Sequence, residues 1–394
     1  MALLSLGIAL VVASAGANSI LSEGTPGDPG AGVDARAVGM GGAALGIFDG
    51  SNVNALNPAV PASYERAVFN LTLIRGYNSY ETEQGKSVEV SYDIPRAELT
   101  IPVSRVLATT ISFSQELNQN YEYTRPLEAE GNTIGTSRVR RQGSLYTFSL
   151  GLAGRLGEKW YVGGAVGYDF GAPKEIFTKE FKEKGYSKVE ENLEAAYKGV
   201  RGTVGAGCLL TDRLSVGATA EVFSKHRVDE TIFTEYATLY ENEYDFTMPW
   251  SAGAGAAYII GPRGRLAADV RYTGWSGFAV DGEGRRYRDT LEFHAGVEGR
   301  ISSANRGFFL WRMPYRAGAF YVPWYATDRG EFSKVGFSVG AGYLFANNEN
   351  SRLDFALEVG RRGDLASAGI QEQTLDFYIS VVGLETWFGK REED

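Results

Sequence analysis

Two histidines, one cysteine and a scatter of carboxylates are what this chain offers for side-chain chemistry. His294 lies two residues from Glu292, so in an extended backbone both side chains point the same way. A carboxylate beside an imidazole can tune a general base. A polar pair lining a wall is the plainer reading, because no serine or aspartate constellation can be placed near it. His226, in Phe-Ser-Lys-His-Arg, stands at a segment end and is expected to be a solvated rim residue. The lone Cys208 excludes an intrachain disulfide and a cysteine metal cluster. Zinc sites and Ser/His or Cys/His catalysis draw on histidine, so no enzyme, no metal and no cofactor is expected.

Gly39-Met40-Gly41-Gly42-Ala43-Ala44 reads as G-x-G-x-x-A, the pattern that cradles a dinucleotide pyrophosphate after a buried strand. Here "DPGAGVDARAV" precedes it, which is no such strand, and no βαβ pattern follows. Nucleotide binding is set aside. The net charge of −9 opposes a nucleic-acid partner, which needs a basic footprint.

The elements that must position these residues are strands. With Gly 50, Tyr 22 and Phe 21, composition favours a β-rich chain. From about residue 66, segments of roughly ten residues alternate strictly. In "TLEFHAGVEGR", Leu291, Phe293, Ala295 and Val297 oppose Glu292, His294, Glu298 and Arg300. In "SKVGFSVGAGYLF", Val335, Phe337 and Val339 oppose Gly336, Ser338 and Gly340. About fourteen such segments occur, joined alternately by short turns such as 156–159 and 261–265 and by long connections such as 118–143, 172–194, 227–245 and 276–289. The connection near 302–313 is longer than that rule allows. Strands of about nine to eleven residues span a bilayer, and short turns opposite long loops mark an outer-membrane barrel. The expected fold is therefore all-β, a transmembrane antiparallel barrel. Trp160, Trp250, Tyr272, Trp275, Tyr321, Trp324 and Trp387 fall at segment ends, where interfacial aromatic girdles lie.

Strand phase turns Arg96, Glu98, Arg201, Glu221, Asp269, Arg271, Glu292, His294, Glu298, Arg300, Asp354 and Glu358 toward the lumen. Their mixed signs give no ion preference and point to pairing among themselves or with a plug. Two long loops carry apolar residues at helical spacing: Phe177 and Phe181 in one, and Phe233, Tyr236 and Tyr240 in the other. Such exposed apolar residues are candidates for contact with a hydrophobic small-molecule ligand.

The chain divides into four parts. Residues 1–17 read as a signal peptide ending in Ala15-Gly16-Ala17, though no Lys or Arg precedes the apolar run. Residues 18–64 are rich in Gly, Ala and Pro, residues 65–388 form the barrel, and residues 389–394 are a polar tail. A signal peptide, a small-residue run "ARAVGMGGAALGIFDGSNVNALNPA" and about fourteen amphipathic strands together resemble the FadL-type outer-membrane proteins that transport long-chain fatty acids and other hydrophobic compounds. The form "ARAVGMGGA" is similar to the PorV-type branch, which serves protein secretion. The resemblance implies that the run folds inside the barrel as a hatch, formed by Gly39, Gly41, Gly42, Ala43, Asp49, Asn57, Pro58 and Ala59. It implies passive diffusion of a hydrophobic compound through a barrel in outer-membrane lipid, or, in the PorV-like alternative, the binding of a protein partner.

Overall fold

The computed structural model describes residues 19–385, apart from 31–32, 51–52, 54–55, 83–84, 130–131, 184, 281–286, 302–308 and 346–350. The expected signal peptide and polar tail lie outside the described residues.

Fourteen antiparallel strands close into one barrel. They are β1 (Ala67–Thr82), β2 (Gly85–Pro102), β3 (Leu107–Asn118), β4 (Ser144–Leu156), β5 (Trp160–Gly171), β6 (Val189–Leu209), β7 (Leu214–Phe223), β8 (Ser251–Ile260), β9 (Gly264–Thr273), β10 (Thr290–Arg300), β11 (Pro314–Pro323), β12 (Ser333–Leu344), β13 (Arg352–Asp364) and β14 (Ile370–Glu385). Each pairs with its sequence neighbour in the barrel, and β14 returns to β1 in a register running from Ala67↔Glu385 to Thr82↔Ile370. Closure removes the edges of the sheet except at one seam in the wall; in the membrane an unpaired backbone group has no water to bond.

Alternation decides which face meets lipid. On β4, Leu152 is 60% exposed while its neighbour Ala153 is 2% exposed. Val166, Val204, Phe293, Phe337 and Val339 are likewise outward and exposed. Outward Trp160, Tyr258 and Tyr315 stand at the short-turn end, and outward Trp250 and Tyr321 at the other, as two interfacial girdles. Trp275 and Trp324 depart from that expectation. They are buried, in a cluster at the inner mouth of the long-loop end. A tryptophan at a strand end reads the same in sequence whichever face it takes.

Above that rim, among the described residues, the connections 118–143, 172–194 and 227–245 form strands rather than helices. Strands Tyr121–Ala129, Asn132–Gln142, Lys174–Phe181, Lys225–Phe233 and Thr238–Thr247 join the upper part of β6 in an antiparallel sheet. The helical spacing was misleading because residues four apart also share a face of a strand. Phe177 and Phe181 satisfy both periods.

One seam interrupts the wall. β2 pairs with β3 only from Arg96↔Ser114 to Pro102↔Ala108. Above Pro95, which has no N–H to donate, β2 is paired to β1 alone. Asp93 bridges the gap by accepting from Gln115 Nε2 (3.3 Å) and Asn118 Nδ2 (3.2 Å).

Inside the barrel runs the segment before β1. From Ser19, beside Asn120 and Glu372 at the long-loop end, it runs to the turn Val60–Ser63, packed near Tyr161, Val68 and Val382 at the short-turn end. Helix α1 (Ala35–Gly39) is capped by Asp34, whose side chain accepts from the Ala37 N–H at 2.9 Å.

Candidate functional site: the lumen and its inner segment

Glycines on the lumen face of the strands let the inner segment touch the wall. A Cβ on Gly318 would run into the Gly41 backbone, on Gly217 into the Leu45 carbonyl, and on Gly163 into the Pro58 carbonyl. Gly41 and Gly42 themselves take φ of +67° and +87°, a turn that favours glycine. Ala43 and Ala59 are fully buried, and Gly39 lies against Gly340 and Arg316. The fully buried Asn57 holds the fold of this segment. Its Nδ2 donates to Leu45 O (3.2 Å) and to Ala206 O (3.1 Å), while its Oδ1 accepts from the Ala59 N–H (3.0 Å).

Charge fastens what glycine admits. Asp269 Oδ2 accepts from the Ala44 and Leu45 N–H groups at 2.7 and 2.9 Å, and Arg271 donates to Gly42 O. His294 Nδ1 contacts Gly41 O at 2.7 Å and its Nε2 lies 3.2 Å from Glu292. Arg36 bridges Asp49 (2.7 Å) and Glu298 (2.8 Å), and Arg265 also binds Asp49. Arg316 continues the ladder from Glu298 to Asp354, each at 2.7 Å, and Arg352 reaches Asp354 as well. Burial alone pushes the Asp49 carboxyl up, but the Arg36 and Arg265 guanidiniums bring it well below the usual carboxylate range. Asp34 has no such partner at contact. Burial, with the Asp354 charge adding, pushes it up to about 6.

A second hub sits higher on the wall. Arg201 binds Asp169 (2.7 Å), Glu116 (2.7 Å) and Glu221 (3.4 Å). His226 is not a solvated rim residue: it is fully buried, with Nε2 2.7 Å from Asp169 Oδ2 and its ring 5.0 Å from that of Phe246. The upper sheet covers it, which the local sequence does not reveal. Arg96 pairs with Glu98, and Glu358 with Lys334 at 2.8 Å. Arg300 does not join these networks; it is exposed at the last residue of β10.

Between floor and mouth lies a cavity of about 440 Å³. Gly41, Gly42 and Leu45 floor it, and Leu117, Met248, Trp275, Trp324 and Tyr325 line its upper part. Trp275 stacks on Tyr325 with ring centroids 3.8 Å apart, and Trp324 lies 4.8 Å from the same ring. Ser91, Asp93, Pro95 and Gln115 carry the lining to the wall seam. Phe233 lies against Lys174 and Phe181 against Tyr186, while Tyr236 and Tyr240 stand exposed near the tip of the sheet. The aromatic mouth is an apolar surface distinct from these loop residues. Among the described residues no group of three or more His, Cys, Asp and Glu side chains is placed to hold a metal ion.

A family model described as BamG matches residues 3–394. No curated protein matches the chain. Several solved structures do. The CymD monoaromatic hydrocarbon channel is 17% identical, covers 92% of this chain and 100% of its own, and superposes with a TM-score of 0.60. A Pseudomonas aeruginosa FadL homologue is 12% identical over 89% of this chain and 98% of its own, at 0.63. The P. putida toluene transporter TodX is 14% identical over 91% and 99%, at 0.59. At these identities the likeness establishes a FadL-type barrel fold.

Proposed function

We infer a function from two facts, that the chain belongs to the BamG family and that its FadL-type barrel encloses a cavity reaching a seam in its own wall. The protein passes compact hydrophobic molecules into the outer membrane by diffusion, with no energy source. The single observation that carries this reading is the continuity of the cavity lining, from the aromatic mouth to Asp93 at the seam. A hydrophobic ring gains by leaving water for the Trp275–Tyr325 stack. It then leaves sideways when the two hydrogen bonds to Asp93 part. The inner segment acts as the hatch, closing the straight path below. Tyr236 and Tyr240 are the outermost apolar contacts of the route. CymD and TodX are described as channels or transporters for monoaromatic hydrocarbons and toluene, which fits a compact ligand better than an extended fatty acid.

The test is uptake into liposomes carrying the purified protein, with radiolabelled toluene and a radiolabelled long-chain fatty acid in parallel. Trp275→Ser combined with Tyr325→Ser is expected to lower toluene uptake about tenfold. Uptake unchanged by the double substitution sinks the route.

A second reading, a barrel that docks a protein partner, is favoured by the ionic ladder that fixes the inner segment. A single stoichiometric partner retained through purification, together with no uptake of either compound, decides for it.

A further inference from the structure

The stretch between β10 and β11 is the long exception among the short turns, and it ends in a single helical turn, α2 (Phe309–Arg312). Phe309, Leu310 and Trp311 are 50%, 38% and 55% exposed, and no residue of α2 is buried. One turn of helix does not hold itself together in water. Two outward residues of the barrel hold this one. The Tyr315 hydroxyl donates to Leu310 O at 2.8 Å and so satisfies a carbonyl left over at the helix end. The Phe309 ring meets that of Tyr343 edge-on, with centroids 6.3 Å apart, and Tyr343 meets Phe345 at 5.4 Å. Tyr343 shares its phase with Val335, Phe337 and Val339 on the lipid face of β12. Helix α2 therefore lies against the outside of the wall. Its apolar side chains gain nothing from the protein interior and extend the lipid face past the strand ends.

Charge of one sign surrounds the same spot. No Asp or Glu occurs between Glu298 and Asp328, whereas Arg300 and Arg312 flank the connection. Arg300 pairs in register with Pro314, two residues after Arg312, and its N–H donates to Arg263 O at 3.1 Å. Arg263 Nη1 donates to Ile301 O at 2.6 Å. Three arginines are thus gathered on neighbouring strand ends. None of them has a carboxylate partner among the described residues. Glu298, two residues before Arg300, is held by Arg36 and Arg316. The chain as a whole carries −9, so this local excess does not follow from composition. Short turns face the periplasm, which sets the patch at the inner leaflet of the outer membrane. Apolar side chains beside guanidiniums match a molecule that joins acyl chains to a phosphate. A headgroup of net negative charge matches better than a zwitterionic one, whose own ammonium would face the arginines.

We propose that α2, with Arg263, Arg300 and Arg312, is a binding site for an anionic phospholipid of the inner leaflet. The acyl chains lie on Phe309, Leu310 and Trp311, and the phosphate lies on the arginines. The site is outside the lumen and independent of the route for hydrophobic ligands.

The full chain is reconstituted into phosphatidylcholine vesicles in which about one lipid in ten is phosphatidylglycerol brominated on its acyl chains. A matched set carries brominated phosphatidylcholine at the same fraction. Bromine quenches tryptophan on contact, and the Trp311 signal is the difference between the unsubstituted protein and Trp311→Phe. Quenching by the brominated phosphatidylglycerol is expected to be at least about threefold that by the brominated phosphatidylcholine, and to fall to parity in the double variant Arg300→Gln, Arg312→Gln. Should that variant fail to insert, about 1 M salt on the unsubstituted protein is read in the same way, because it screens exposed charges. Equal quenching by the two lipids shows contact without choice of headgroup and overturns the proposal. A preference that survives loss or screening of the arginine charges overturns it as well. So does a Trp311 left unquenched in both sets, which leaves the apolar face of α2 to a protein partner.

Discussion

The short-turn half and the long-loop half of the lumen share the same fourteen strands and fill them in opposite ways. In the lower half, wall glycines meet backbone atoms of the inner segment, and each charge in the Arg36–Asp49–Glu298–Arg316–Asp354 ladder has a partner of opposite sign. In the upper half the same wall encloses a cavity; among the described residues, unpartnered buried atoms occur in both halves, on Arg201, Arg362, Glu372 and Thr374 above and on Asp269, Arg271 and Arg352 below. Close packing specifies one arrangement and tolerates little change. An open pocket is where a ligand can enter. The lower half thus reads as structure and the upper half as the working space.

The largest effect that tests this contrast comes from paired glycine substitutions. In Gly318→Ala the new Cβ meets the backbone of Met40 and Gly41, which cannot rotate away. In Gly360→Ala it meets Lys334 Cε at 2.6 Å and Thr374 Oγ1 at 2.8 Å, ends of side chains that can move. Gly318→Ala is expected to expel the inner segment and expose it to protease in membranes, while Gly360→Ala leaves it protected. Equal protection in both would erase the distinction between the halves.

Next in size is Asp269→Ala. It leaves two buried N–H groups, Ala44 and Leu45, without their acceptor and removes a contact of Arg271. A loss of about 3–5 kcal/mol is expected in urea unfolding in lipid vesicles. Arg36→Met is expected to cost less, about 2 kcal/mol, because Arg265 still holds Asp49 and Arg316 still holds Glu298. Its signature is in pH. Asp49 titrates well below the usual carboxylate range, so its stabilisation is complete above about pH 4 and is lost only as pH falls through that depressed value. The unsubstituted protein is expected to keep its inner segment protease-resistant at pH 4, and Arg36→Met to give up that margin.

Much of this was legible in the sequence, because alternation is a property of each strand by itself. The fourteen strands and their lipid faces follow from residues such as Leu291, Phe293 and Val297 opposing Glu292, His294 and Glu298. The lumen glycines were visible too, as Gly336 and Gly340 on the polar phase of β12. What stayed hidden depends on contacts between distant segments. Arg36 gains its role only when Glu298 comes within reach, 262 residues away. Glu372 meets Ser19 across a separation of 353 residues. Trp275 and Trp324 read as girdle residues because their burial is set by Tyr325 and the inner segment rather than by strand period. His226 is buried by a sheet formed from what looked like loops.

The smallest expected effect isolates the cost of charge where the inner segment enters the ladder. Asp34 caps α1, yet burial beside Asp354 pushes its carboxyl up to about 6, and its Oδ2 has no partner. A carboxyl whose folded pKa lies above its unfolded value near 4 binds more protons when folded. Its contribution therefore weakens as pH rises from about 4 to 6 and stays reduced at neutral pH. Asparagine caps a helix as well as aspartate does and carries no charge to desolvate. Asp34→Asn should raise stability at pH 7 by on the order of 1 kcal/mol and flatten the urea midpoint between pH 4 and 6. A midpoint that falls at pH 7 would mean that the Asp34 charge is held by Arg36 and Arg352 after all.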